Sequence, residues 1–283
     1  MRVPSAALSR LAFRSIEFSS SLPLADLGSV PSPPTHYILP HLPSIVTAET
    51  KADFQLHTAS RLDTGDPLLS QDYPKPRPIM TIAASLFEDS ASLIEAARER
   101  IEGYGADTLL IVGGNERTEK SLTSSDAIGI LSESFPTENL SLFCAWDPNS
   151  PRDLESSIKK IDAGATGVIT QPLLTKSAWD QLDVCQSEAV FDERIRLIPG
   201  LALPKSSKSL LFWSSLLKES SNAIQKDVGF AQSLRYFESL DFDEADRLAW
   251  SMEQRDRLLS YAIIHGIHFM PLGNSGDLLQ LLR

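Results

Sequence analysis

The segment that most limits how this chain can fold is 153–171, Asp-Leu-Glu-Ser-Ser-Ile-Lys-Lys-Ile-Asp-Ala-Gly-Ala-Thr-Gly-Val-Ile-Thr-Gln. A helix entered at Pro151 would carry Leu154, Ile158 and Ile161 on one face. The small residues Ala163, Gly164 and Ala165 then turn the chain into an apolar stretch closed by the polar pair Thr170 and Gln171. This is one helix–strand step of a parallel α/β protein. In a (β/α)8 barrel, side chains at the carboxyl ends of the strands build the catalytic site.

The same alternation runs through most of the chain. Strand candidates fall at 15–18, 36–39, 79–83, 108–112, 140–146, 167–171, 195–200 and 267–270. Helical spacing is found over 92–104, from 151, and over 178–189, 209–217, 243–264 and 277–282. Residues 19–35 and 60–78 are rich in proline and read as loop. Strands alternating with helices imply a parallel sheet with right-handed crossovers. Eight strands in 283 residues favour a closed α/β (β/α)8 TIM barrel as a single domain. We take 15–283 as the barrel and 1–14 as a tail.

The tail carries Arg2, Arg10 and Arg14 and no acid, so it also reads as a mitochondrial transit peptide. The other reading is a ragged end before the first strand. The default compartment is therefore cytoplasmic, with mitochondrial as the alternative. Two cysteines in unrelated segments give no disulfide framework and no zinc knuckle. A net charge of -11 argues against nucleic acid as a partner. No apolar run approaches the ~18–20 residues of a membrane span, so no membrane partner is expected.

Several candidate motifs have plain structural readings. Gly113-Gly114-Asn115 closes a strand and could let a ligand approach the backbone, but it also fits an ordinary βα turn. It matches neither the dinucleotide fingerprint nor the phosphate loop. Ser150-Pro151-Arg152-Asp153 reads as a helix start, so structure alone could account for Asp153. Lys160 alone reads as a solvated helix residue. Thr170 and Gln171 close a buried strand and need hydrogen bonds, which the protein or a ligand at the barrel mouth could supply. The five histidines have no carboxylates at metal-site spacing, so no metal is expected.

Taken in order, these segments resemble the catalytic barrel of the methylenetetrahydrofolate reductase family. The likeness lies in 153–171, in Ile198-Pro199-Gly200-Leu201, and in His268-Phe269 with Leu272 and Asn274. It implies non-covalent FAD, NAD(P)H as co-substrate, and reduction of 5,10-methylenetetrahydrofolate to 5-methyltetrahydrofolate in one-carbon and methionine metabolism. Glu17 would be the general acid, with its pKa raised by burial. Thr81, Gly113, Gly114, Asn115, Trp146, Asp153 and Lys160 would line the flavin. Thr170, Gln171 and Ser209 would meet the folate substrate. The barrel would orient both partners on one flavin face while the cofactor carries the hydride.

The chain departs from the family at Gly113-Gly114-Asn115, where Arg-Gly-Asp is expected, at Ile79 in place of a histidine, and at Ser209 in place of a glutamine. These changes leave a second reading open: a non-catalytic or regulatory paralogue that binds a folate or a protein. Self-association is also left open.

Overall fold

Short β-branched and aliphatic stretches such as Ile79-Met80-Thr81-Ile82 and Leu109-Leu110-Ile111 become strands because both faces of each are buried. The computed structural model describes residues 13–17, 34–39, 77–114, 118–135, 140–150, 153–217, 221–239, 243–271 and 274–282. Eight strands run in chain order: β1 (Phe13–Glu17), β2 (His36–Leu39), β3 (Arg77–Ala83), β4 (Thr108–Val112), β5 (Ser141–Trp146), β6 (Gly167–Pro172), β7 (Arg196–Ala202) and β8 (Gly266–Met270). Each pairs in parallel with the next, and β8 pairs with β1, so the sheet closes into a barrel. The (β/α)8 expectation is met. The strand bounds shift by only a few residues, and β1 starts at Phe13, inside the segment taken as tail. The rest of that segment, 1–12, lies outside the described residues.

Among the described residues the helices are α1 (Ser90–Tyr104), α2 (Ser124–Ser134), α3 (Asp153–Asp162), α4 (Lys176–Ser187), α5 (Ser207–Leu216), α6 (Ser221–Lys226), α7 (Val228–Ser239), α8 (Glu244–Leu259) and α9 (Ser275–Leu281). Of these, α2, α6 and α7 were not anticipated. The signal for α2 was legible: Thr123 and Asp126 form a reciprocal capping box ahead of Ala127, Ile128 and Leu131, which face the core. The face expected for α3 is also rotated. Leu154 and Ile161 pack against the core, but Ile158 is 38% exposed. The buried stripe instead runs through Ser157 and Lys160, and the small Ser157 lets the helix lie close to the barrel.

Strand alternation separates two apolar layers. Residues such as Ile16, Ile82, Ile111, Cys144 and Trp146 point outward and join the helices in one large core. Ile38, Ile79, Leu110, Phe143, Ile169 and Ile198 form a separate cluster inside the barrel. Six strands thus supply one side chain each to a dry plug, which makes the interior a packed core with no through-channel.

The plug requires close approach at two glycines. A Cβ on Gly167 would lie 2.5–2.8 Å from the Phe143 ring. A Cβ on Gly200 would lie 2.6 Å from the Thr170 carbonyl oxygen and 3.1 Å from backbone atoms of Gln171 and Pro172. The second crowding accompanies a register shift between β6 and β7 at Ile169 and Pro172. There Gly200 N–H donates to Thr170 Oγ1 at 2.9 Å, and that hydroxyl donates to the Gln171 carbonyl at 2.6 Å. Backbone cannot yield as a flexible side chain can. We therefore expect Gly200→Ala to lower the unfolding free energy by about 2 kcal/mol or more, measured by urea denaturation. An unchanged midpoint would show that the β6–β7 seam is looser than these distances imply.

Candidate functional site

One inward position beyond the plug, the side chains become small. Thr81 on β3 alternates with the outward Met80 and Ile82, Ala145 on β5 with Cys144 and Trp146, and Gly200 on β7 with Leu201. This layer lies at the carboxyl ends of the strands, where catalytic sites of such barrels are built. Ala202 and Met270, at the ends of β7 and β8, join Leu174, Leu210, Trp213 and Phe230 in a second apolar cluster. The mouth is therefore apolar on its β7–β8 side, and its polar groups come from the other strands and from below.

Two of those polar groups lie at the end of β3. Thr81 Oγ1 and Ser85 Oγ are both buried and have no partner in the protein. Gln171 is half-buried at the end of β6, and no hydrogen bond to its side-chain amide is found among the described residues. Beneath them, His268 Nδ1 lies 3.0 Å from Ser15 Oγ, joining β8 to β1. Burial pushes the His268 pKa down to about 4, partly offset by a hydrogen bond with the Ser15 backbone, so the imidazole is neutral near pH 7. Glu17 is the last residue of β1, paired with Ile38, and its side chain lies outside the described set.

Other residues singled out from the sequence have internal work. Trp146 is fully buried and meets Phe191 edge-on at 5.7 Å between ring centroids, on the helix side of the sheet. Asp153 accepts from the Asp147 backbone N–H at 2.6 Å, and Lys160 Nζ donates to the Ala145 carbonyl at 2.8 Å. The two therefore tie α3 to the end of β5 and are not aimed at a ligand. Thr170 belongs to the β6–β7 seam described above. Ser209 forms a capping box with Ser206 at the start of α5. Gly114 has φ +86°, and a Cβ there would run into the Ser85 hydroxyl, so the protein itself fills the space a ligand would need. Ser85 N–H also donates to the Gly113 carbonyl at 3.0 Å, while Asn115 lies outside the described residues.

Two structural clamps escaped sequence reasoning. Asn149, 1% exposed, donates to the Asp147 carboxylate and the Pro172 carbonyl, and accepts from Leu174 N–H and the Thr175 hydroxyl. It joins the loops after β5 and β6. The turn-forming run Asp147-Pro148-Asn149-Ser150 was its only sequence signal. Asp277, fully buried, takes a two-pronged bond from Arg247 at 2.9 and 3.0 Å and another from Asn274 Nδ2 at 2.6 Å. Asn274 also donates to the Leu203 carbonyl at 3.2 Å, so the loops after β7 and β8 are held together. Among the described residues, no three His, Cys, Asp or Glu side chains are grouped to hold a metal, and no helix is long and apolar enough to cross a membrane.

No family model and no curated protein matches the chain. Solved structures do. A phosphonopyruvate hydrolase superposes with a TM-score of 0.52 at 8% identity, covering 97% of this chain and 81% of that one. A GH18 chitinase from Pseudoalteromonas aurantia gives 0.50 at 10% identity, covering 95% and 98%. A 2,3-dimethylmalate lyase of the PEP mutase/isocitrate lyase superfamily gives 0.42 at 12%, covering 90% and 93%. Likeness at these identities is a likeness of fold.

The resemblance to methylenetetrahydrofolate reductase is corrected by these findings. At a TM-score of 0.50 or above, the solved barrels that match include a hydrolase and a chitinase. FAD, NAD(P)H, folate reduction and a role in methionine biosynthesis are withdrawn with it. The geometry gives the physical reason: of the residues assigned to the flavin, Trp146 is buried against Phe191 on the helix side of the sheet, and Asp153 and Lys160 are engaged in bonds that hold α3 to the end of β5.

The buried His268 makes stability depend on pH. Its folded-state pKa of about 4 lies below its ordinary value of 6.5. Between these values the unfolded chain takes up a proton that the folded chain excludes. The contribution is therefore complete above about pH 6.5 and is lost as pH falls towards 4. Wild type should lose about 2–3 kcal/mol more than His268→Asn between pH 7 and pH 4.5. Urea unfolding at the two pH values checks this, and parallel losses in the two proteins would remove His268 as the cause.

Proposed function

We propose that this chain is a small-molecule enzyme whose site is the carboxyl-terminal mouth of the barrel, and that its substrate is a compact, uncharged, polar compound. The observation that carries this reading is the buried Thr81 hydroxyl on β3, which has no hydrogen-bond partner among the described residues, together with the half-buried Gln171 amide on β6. A buried hydroxyl without a partner costs about 1–3 kcal/mol. Such a hydroxyl in the layer thinned by Ala145, at the end of the barrel where catalytic sites are built, fits a ligand that supplies the missing bond.

The chemistry of the lining sets the substrate class. Thr81, Gln171 and the neutral Ser15–His268 pair offer donors and acceptors without formal charge, and Met270 and Ala202 offer apolar contact. A hydroxyl- or amide-bearing neutral molecule fits such a surface better than a dianion, which would need a cation to offset its desolvation. With its pKa near 4, His268 is a weak base that orients a ligand by hydrogen bonding. We assign acid–base chemistry to Glu17, which ends β1 two residues beyond Ser15. The matching solved barrels support a site at this end of the fold through their architecture alone.

The test is a ligand screen by thermal shift, using neutral polar metabolites and charged analogues, on wild type, Thr81→Val and Gln171→Leu. Thr81→Val should leave the ligand-free protein equally or more stable, because an isosteric methyl replaces a partnerless hydroxyl. Each substitution should weaken the ligand found by about tenfold or more. Glu17→Gln should leave its binding intact and abolish its conversion. Ligands that stabilise all three proteins equally would place binding elsewhere and end this reading.

A further inference from the structure

The opposite end of the barrel carries a different chemistry. The first inward positions there include His36 on β2, Arg77 on β3, Ser141 on β5 and Arg196 on β7. The Arg196 guanidinium lies over the Phe143 ring at 5.0 Å to the centroid, on the underside of the plug, and Nη2 donates to Ser141 Oγ at 2.8 Å. Neither partner is charged. Arg77 Nη1 reaches Asp107 at 2.7 Å, the one ion pair of a described carboxylate with these arginines. On β1 the Arg14 backbone N–H donates to Thr35 Oγ1, which lies 2.8 Å from His36 Nδ1 and so ties β1 to the start of β2.

Among the described residues the electrostatic balance here is the reverse of the protein as a whole: Arg77 and Arg196 share one carboxylate, Asp107, in a chain with a net charge of -11. The groups act on one another. Burial is the main cause that lowers the His36 pKa to about 4; Asp107 raises it, while Arg77, Arg196 and Arg14 lower it further. Burial also lowers the pKa of Arg196, which only Asp107 opposes. A guanidinium half-removed from water, with a hydroxyl and a ring as its partners, still has most of its five N–H donors to satisfy. A planar fork of that kind suits the paired oxygens of a phosphate.

We propose that the amino-terminal end of the barrel is an oxyanion site, in which Arg196 and Arg77 hold a phosphate group, free or on a small metabolite, beside His36. This site is separate from the mouth and uses none of its residues. Arg196 supplies the fork, pre-oriented by Phe143 and Ser141, and Asp107 fixes Arg77 so that one edge of its guanidinium faces the ligand. The anion replaces the solvent that burial has removed from Arg196.

The experiment titrates the full chain with inorganic phosphate against chloride at matched ionic strength, by calorimetry and by NMR of the His36 imidazole. Phosphate should bind wild type, and Arg196→Gln, which can keep a hydrogen bond to Ser141, should weaken it by about tenfold or more. The His36 pKa should rise on binding, because an anion beside the ring favours its charged form. This readout needs no variant and stands if Arg196→Gln fails to fold. Glycerol phosphate in place of the ion identifies the source: tighter binding points to a phosphorylated metabolite and equal binding to free phosphate, and either keeps the site. Thr81→Val should not alter phosphate binding, which separates this proposal from the reading of the mouth. No phosphate binding to wild type at millimolar concentration, or equal binding to Arg196→Gln, overturns it.

Discussion

Each strand of this barrel has to bury two faces at once, and the rest of the structure depends on how that demand is met. Outward side chains need helices to cover them, and inward ones need each other. Helices such as α1 to α4 meet the first need, and Ile38, Ile79, Leu110, Phe143, Ile169 and Ile198 meet the second. Burying a side chain of this size contributes about 1.5–3 kcal/mol, so these six residues are a large part of the stability of the closed sheet. They also divide the molecule. Because the plug is dry and packed, the two ends of the barrel are chemically independent surfaces joined by a rigid body.

The two ends differ in how they handle polarity. At the carboxyl-terminal end the Thr81 and Ser85 hydroxyls, the Gln171 amide and an imidazole stripped of its proton by burial carry no formal charge. The charged residues nearby are turned towards the backbone, as with Lys160 on the Ala145 carbonyl and Asp153 on the Asp147 N–H. At the amino-terminal end Arg196 and Arg77 lean on a ring, a hydroxyl and, among the described residues, a single carboxylate. Ligands that need opposite kinds of stabilisation could therefore occupy one small barrel without interfering.

Fold was readable from the sequence because it rests on periodicity. Strands such as Thr108–Val112 and His36–Leu39 stood out through apolar runs bounded by turn residues, and both appear within the bounds expected. The helix Val228–Ser239 was missed although Phe230, Leu234 and Phe237 hold the i, i+4, i+7 spacing of one helical face and pack in one cluster. The site was much less readable. Gln171 stood out as one of a polar pair closing a buried strand, and Thr81 only through a family resemblance that the structural matches do not uphold; both lie in the carboxyl-terminal halves of their strands. Asp153, Lys160, Trp146 and Ser209 had equally suggestive places in the sequence and turned out to be ties and caps. A one-dimensional pattern cannot tell a polar group aimed at backbone from one aimed at a ligand, since both obey the same rule that buried polar atoms must be satisfied.

The contact between Ser15 and His268 spans 253 positions of the chain. During synthesis the first strand must wait for those 253 positions to be made before its second neighbour leaves the ribosome. Until then the nascent sheet has two open edges, β1 on one side and whichever strand was made last on the other, each offering unpaired N–H and C=O groups to any passing chain. Closing the ring is thus a late, entropically demanding event, and in the cell this protein should lean on chaperones most heavily in the seconds just before its last strand is released.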